Sequence, residues 1–111
     1  MSLADFLKIL ADITRLRIIN LLIYEPGLRV KDLVETLQLP QSTISRHLAL
    51  MRQSGWVEDK RVDVWVQYRL SRHVPHELQM ALEKMFSQDI TFRNDILKLK
   101  EIQNGVAHPG G

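Results

Sequence analysis

Hydrophobic and polar positions follow two periods along the chain, and the switch between them lays out the elements. Leu3, Phe6, Leu7 and Leu10 recur at helical spacing behind Ser2, an N-cap residue with Asp5 three positions on, and predict a first helix. From Asp12, a second cap, to Tyr24 the apolar residues cover most of the circumference: Ile13, Leu16, Ile18, Ile19, Leu21, Leu22 and Ile23. That helix is expected at the buried centre, and Pro26 and Gly27 end it. Val30, Leu33, Val34 and Leu37 repeat the i, i+3, i+4, i+7 pattern in a short third helix closed by Leu39 and Pro40. After this tight connection a fourth helix covers 41–53. It carries Ile44, His47, Leu48 and Met51 on one face and Ser42, Arg46, Ala49 and Gln53 on the other. Gly55 suits a left-handed position just past its end.

The period then changes to two. Trp56 and Val57 begin an extended segment, and Val64, Val66, Tyr68 and Leu70 alternate with Trp65, Gln67 and Arg69, so two strands joined near 61–63 make a hairpin. Pro75 fits the first turn of a last helical region. Here Leu78, Leu82, Met85, Asp89, Phe92, Ile96 and Leu99 step by 4, 3, 4, 3, 4 and 3, a heptad seam with one polar member, and a seam needs a partner. Residues 87–91 cap better than they propagate and offer a break into two helices. Residues 1–103 are expected to form one domain, and 104–111, with Gly105 and Pro109, a disordered tail.

Composition narrows the chemistry. A chain of 111 residues, 45% hydrophobic and 25% charged, suits one ordinary core. The absence of cysteine excludes disulfides, thiolate metal sites, a cysteine nucleophile and thiol redox sensing. No apolar run approaches the roughly 20 residues of a spanning helix, and the start MSLADFLK lacks the basic flank and cleavage site of a signal peptide. A cytoplasmic protein with no membrane partner is expected. The net charge of +2 is small, but residues 41–72 hold six basic against three acidic side chains, so the positive excess lies in the fourth helix and the hairpin.

A tight helix pair followed by a charged ribbon predicts a mainly α fold with a small β-hairpin wing, a winged helix-turn-helix whose second helix enters the major groove of duplex DNA. Gln41, Ser42, Thr43, Ser45 and Arg46 lie at or near the N-terminal end of that helix and are the candidate base contacts. Gln can pair with adenine, Arg with guanine, and Ser or Thr with either. Arg52, Lys60 and Arg61 suit phosphates or the minor groove. His47, on the flank of the core stripe, suits either a structural hydrogen bond or a backbone phosphate. Arg29 and Lys31, near a helix start, suit a bound anion or a solvated face. The alternative is a protein-binding winged helix with Trp56, Trp65 or Val62 as an exposed apolar contact. Enzyme chemistry finds no support: there is no Gly-rich phosphate loop, no cysteine, and no His with a carboxylate and nucleophile in recognisable arrangement.

Three stretches, LADITRLRII at 10–19, STISRHLALMRQSGWV at 42–57 and WVQYRLSRHVP at 65–75, resemble the arsenical-resistance-repressor (ArsR) family of small bacterial transcription regulators. The resemblance runs from Leu7 to about Met85. It implies a homodimeric repressor joined through its first and last helices, which places Leu3, Phe6, Leu78, Leu82, Met85 and Phe92 at the interface. It also implies recognition of an imperfect inverted repeat, and release by a metal ion or another small signal.

Two departures qualify that inducer. Arsenic-sensing members carry a pattern like ELCVCDLC in the third helix, and its thiolate positions fall here on Arg29, Lys31 and Val34. Trivalent arsenic demands sulfur, so it is not expected as a signal. Zinc-type members use Asp and His near the start of the last long helix with further ligands three turns on. Here His73, His76 and Glu77 stand near that start and no histidine follows until His108, so His73 and His76 are the weak metal candidates and no cofactor is expected. A glycine common at the family's wing tip is replaced by Asp63, next to Val62, which tolerates a left-handed turn poorly.

Overall fold

In the computed structural model residues 2–105 are described; the expected tail beyond Gly105 lies outside them. The elements are α1 (Leu3–Lys8), a 3-10 turn (Ile9–Ala11), α2 (Ile13–Tyr24), α3 (Val30–Leu37), α4 (Gln41–Gln53), β1 (Val57–Val62), β2 (Trp65–Leu70), α5 (His76–Ser87) and α6 (Ile90–Gln103). Caps set most of the boundaries. The Ser2 hydroxyl accepts from the Asp5 amide and the Asp12 carboxylate from the Arg15 amide, as the sequence predicts. At the end of α3, Gln38 takes the left-handed conformation with φ 56°, which lets the chain reach Pro40 and restart as α4 within three residues.

The buried centre is α2. Its Ile18, Ile19, Leu21 and Leu22 are enclosed by Leu33 and Leu37 from α3, Ile44, Leu48 and Met51 from α4, and Leu99 from α6. Among the described residues no helix is long and apolar enough to cross a membrane.

Three expectations need correction. Trp56 is not an exposed contact: it is 0% exposed, stacks on Phe6 with ring centroids 4.5 Å apart, and donates from Nε1 to the Phe6 carbonyl at 2.6 Å. Phe6 is thereby drawn from the expected dimer face into an internal contact, leaving Leu3 exposed. The 3-10 turn explains this shift, because it rotates Ile9 into the core where a continued α-helix would have placed Leu10.

The heptad seam is the second. The chain breaks at Gln88, Asp89 caps α6 through the Thr91 amide, and α5 and α6 fold against each other with Phe86 stacked on Phe92 at 4.5 Å. Leu82 and Phe92, each 7% exposed, are therefore buried in the chain's own core rather than offered to a partner. The seam's partner is largely α2, to which α6 is tied by a two-pronged ion pair, Arg17 to Asp95 at 2.8 Å for both contacts, and by the Asn20 amide donating to the Phe92 carbonyl at 2.9 Å.

Third, the wing turn lies one residue later than expected. Val62 pairs with Trp65 as regular strand, and the turn is Asp63 and Val64, with Asp63 at φ 56°. An aspartate tolerates that conformation, so Val62 is spared it.

Candidate nucleic-acid interface

The face of α4 opposite its core stripe is the polar surface the sequence predicts. Ile44, Leu48 and Met51 anchor the helix, so Gln41, Ser42, Arg46, Ala49 and Gln53 point to solvent. Thr43 and Ser45 are only half exposed, on the flank towards the core. Pro40 precedes the helix in extended conformation and supplies no side-chain cap. The first amides of α4 are thus not closed off by a neighbouring side chain.

His47, on the other flank, lies over the start of α2. Burial lowers its pKa; the Arg15 and Arg46 charges act in the same sense, against the opposing pull of Asp12. Asp12 in turn is held below the usual carboxylate range: burial raises it, but the Arg15 amide and the Arg15 and His47 charges outweigh that. The imidazole therefore belongs to the α2–α4 contact more than to the outer face.

Gly55, at φ 83°, turns the chain out of α4, and the Trp56 amide closes the turn on the Met51 carbonyl at 2.8 Å. The wing that follows is antiparallel, with Val57 opposite Leu70 and Val62 opposite Trp65. Its charges are arranged in two groups. Arg69 stands directly across from Glu58 and contacts it at 3.4 Å, Arg72 reaches the same carboxylate at 3.8 Å, and Arg52 from the end of α4 reaches Asp59 at 3.3 Å. Among the described residues Arg46, Lys60 and Arg61 make no ion pair.

Sequence reasoning placed Arg52 on a phosphate and missed its tie to Asp59. The i to i+7 separation crosses from helix to strand, and no periodicity signals it. Such an exposed pair is worth about 0–1 kcal/mol, so exchange of Asp59 for a phosphate costs little.

The third-helix positions carry no free cation of the kind first considered. Arg29 is paired with Asp32 at 3.3 Å, and Lys31 lies 3.9 Å from Glu35. Val34 is packed against the core. His73 and His76 are exposed at the start of α5, and among the described residues no three His, Cys, Asp or Glu side chains gather to hold a metal ion.

Comparison with known proteins matches this arrangement. The family described as bacterial regulatory protein, arsR family, matches residues 12–59, from the cap of α2 into β1. The arsenic resistance transcriptional regulator ArsR1 of Pseudomonas putida is 38% identical over 96 residues, 86% of this chain and 75% of that protein. The chain belongs to the arsR family.

A second relative, the arsenical resistance operon repressor of Escherichia coli, is 53% identical over 68 residues; these cover 61% of this chain and only 58% of that protein's length. Among solved structures, reduced HlyU from Vibrio cholerae superposes with a TM-score of 0.67 at 31% identity, over 78% of this chain and 87% of that one. The transcriptional repressor PagR of Bacillus anthracis gives 0.64 at 29% identity, over 74% and 90%. These relatives are regulators, and this arsR-family chain is a winged helix-turn-helix transcriptional regulator, not an enzyme.

Proposed function

We propose that this arsR-family regulator is a cytoplasmic, homodimeric repressor that reads an inverted repeat in double-stranded DNA, one half-site per protomer. The observation that carries the reading is the outward row Gln41, Ser42 and Arg46 on a helix whose opposite face is locked into the core, with the unpaired Lys60 and Arg61 beside it on the wing. In this reading Arg46 and Gln41 read base edges, and Ser42, Thr43 and Ser45 assist them. Lys60, Arg61, Arg52 and, from its flank position, His47 serve the backbone. The chain through residue 103 acts as one DNA-binding and dimerisation domain.

A thiolate-bound metalloid does not fit as inducer. Where arsenic-sensing members carry sulfur, the donor set here is a guanidinium held by Asp32, an ammonium beside Glu35 and an aliphatic Val34, none of which can ligate a soft cation. The inducer, if the protein has one, is an ion or small molecule recognised by other means. Selection of bound sequences from a random duplex pool, repeated with zinc, nickel and a metabolite panel, tests the reading. Recovery of a two-fold symmetric motif is the expected result; recovery of none contradicts it.

The dimer surface that remains after Leu82 and Phe92 turn inward includes Leu3 and Met85, 73% and 66% exposed, with Leu78 half-buried beside them in sequence pattern. Met85→Glu is expected to convert the dimer to monomers in sedimentation experiments and to weaken operator binding by uncoupling the half-sites. A Met85→Glu chain that stays dimeric moves the interface elsewhere. Phe92→Glu is not an equivalent test, because it charges the monomer's own core.

A further inference from the structure

Where the third helix begins, the chain is fastened to the wing twice. The Gly27 amide donates to the Tyr68 carbonyl at 2.9 Å and the Tyr68 amide to the Leu28 carbonyl at 2.7 Å, so this short stretch runs antiparallel to β2. One residue on, the Arg29 guanidinium lies over the Trp65 indole, 4.7 Å from the ring centroid, while its Nη2 lies 3.3 Å from the Asp32 carboxylate. Asp32 is itself fixed, because it accepts from the Arg29 amide at 2.8 Å. Trp65 pairs with Val62 directly below the Asp63–Val64 turn and is 52% exposed, so core packing leaves much of its ring unsupported. The stacked cation supplies that support.

We propose that Arg29 is a positioning residue for the wing: stacked on Trp65 and anchored by Asp32, it fixes the hairpin tip at the angle from which Lys60 and Arg61 meet DNA, without touching DNA itself. This rests on the DNA-reading function proposed above. The geometry favours it over a phosphate contact by Arg29, since the guanidinium is already occupied by a carboxylate at its edge and an indole at its face.

The test compares the full chain with Arg29→Gln, Arg29→Lys, Trp65→Leu and the Arg29→Gln/Trp65→Leu double variant, on a duplex recovered by selection, across a salt series. Arg29→Gln should weaken binding roughly two- to tenfold, with the slope of log affinity against log salt unchanged. Lys, which keeps a cation over the ring but loses the two-pronged hold on Asp32, should restore part of the loss, and the double variant should bind no worse than the weaker single one. A slope shallower by about 0.9 for Arg29→Gln makes Arg29 a phosphate contact and overturns the proposal; so do additive losses in the double variant.

Acrylamide quenching of tryptophan emission decides the strut without DNA. Trp56 is buried, so the quenchable emission belongs to Trp65, and Arg29→Gln should increase it. Unchanged quenching overturns the strut. Increased quenching in a chain that no duplex retains supports the strut and counts against the DNA reading alone.

Discussion

Arg17→Met is expected to destabilise the protein by about 3–5 kcal/mol, the cost of leaving a buried carboxylate without its counter-charge. Asp95 is 7% exposed at its side chain, and Arg17 meets both of its oxygens at 2.8 Å from a helix 78 positions away in sequence. The hydrogen bonds to Asp95 raise the Arg17 pKa against the opposing effect of burial, so the pair stays charged on the guanidinium side across the working range. In a domain of about this size each kcal/mol moves Tm by roughly 4–8 °C, so thermal denaturation should show a fall of more than about 10 °C. Removing both partners with Arg17→Met and Asp95→Leu should recover most of it, because two apolar groups leave no buried charge unpaired. A single variant that loses less than about 1 kcal/mol would mean that α6 is held to α2 by its apolar contacts and by Asn20 alone.

Arg46→Ala carries the second large effect, this time on binding. Its side chain leaves the exposed face of α4 one turn from the N-terminal end and makes no ion pair among the described residues, so it is available to a guanine edge. Loss of one bidentate base contact costs roughly 1–3 kcal/mol per half-site, and a dimer loses it twice, for about 2–6 kcal/mol in total. Preference should relax at one base position in each half-site while thermal stability stays within about 0.5 kcal/mol of the parent, as for other surface changes. Competition with a set of single-base operator variants reads this out. An equal loss on every sequence would reassign Arg46 to the backbone.

Periodicity made the helical framework legible. The limits of α3 and α4, the caps Ser2 and Asp12 and the turn at Gly55 are local properties, each fixed by residues within one or two turns. What escaped was decided by long-range contact. Trp56 looked like a surface aromatic because its partner, Phe6, lies 50 residues earlier, and only the fold brings the two rings together. The heptad spacing was real, but spacing does not say whether a seam meets a second chain or folds back on its own; the break at Asp89 gave Phe92 a place against Phe86. Among the interface residues the outward face of α4 was readable, since an anchored helix leaves its polar side exposed. The ion pairs of Arg52, Arg69 and Arg72 depended on strand register and were not.

The most direct test of the central claim, a DNA reader without a thiol sensor, is the affinity of the protein for its selected duplex between 50 and 200 mM salt, with and without arsenite. For about 6–10 phosphate contacts the affinity should fall roughly 10³- to 10⁵-fold across that range, and arsenite should leave each value unchanged. Retention that ignores salt, or release of the duplex by arsenite, would contradict the account.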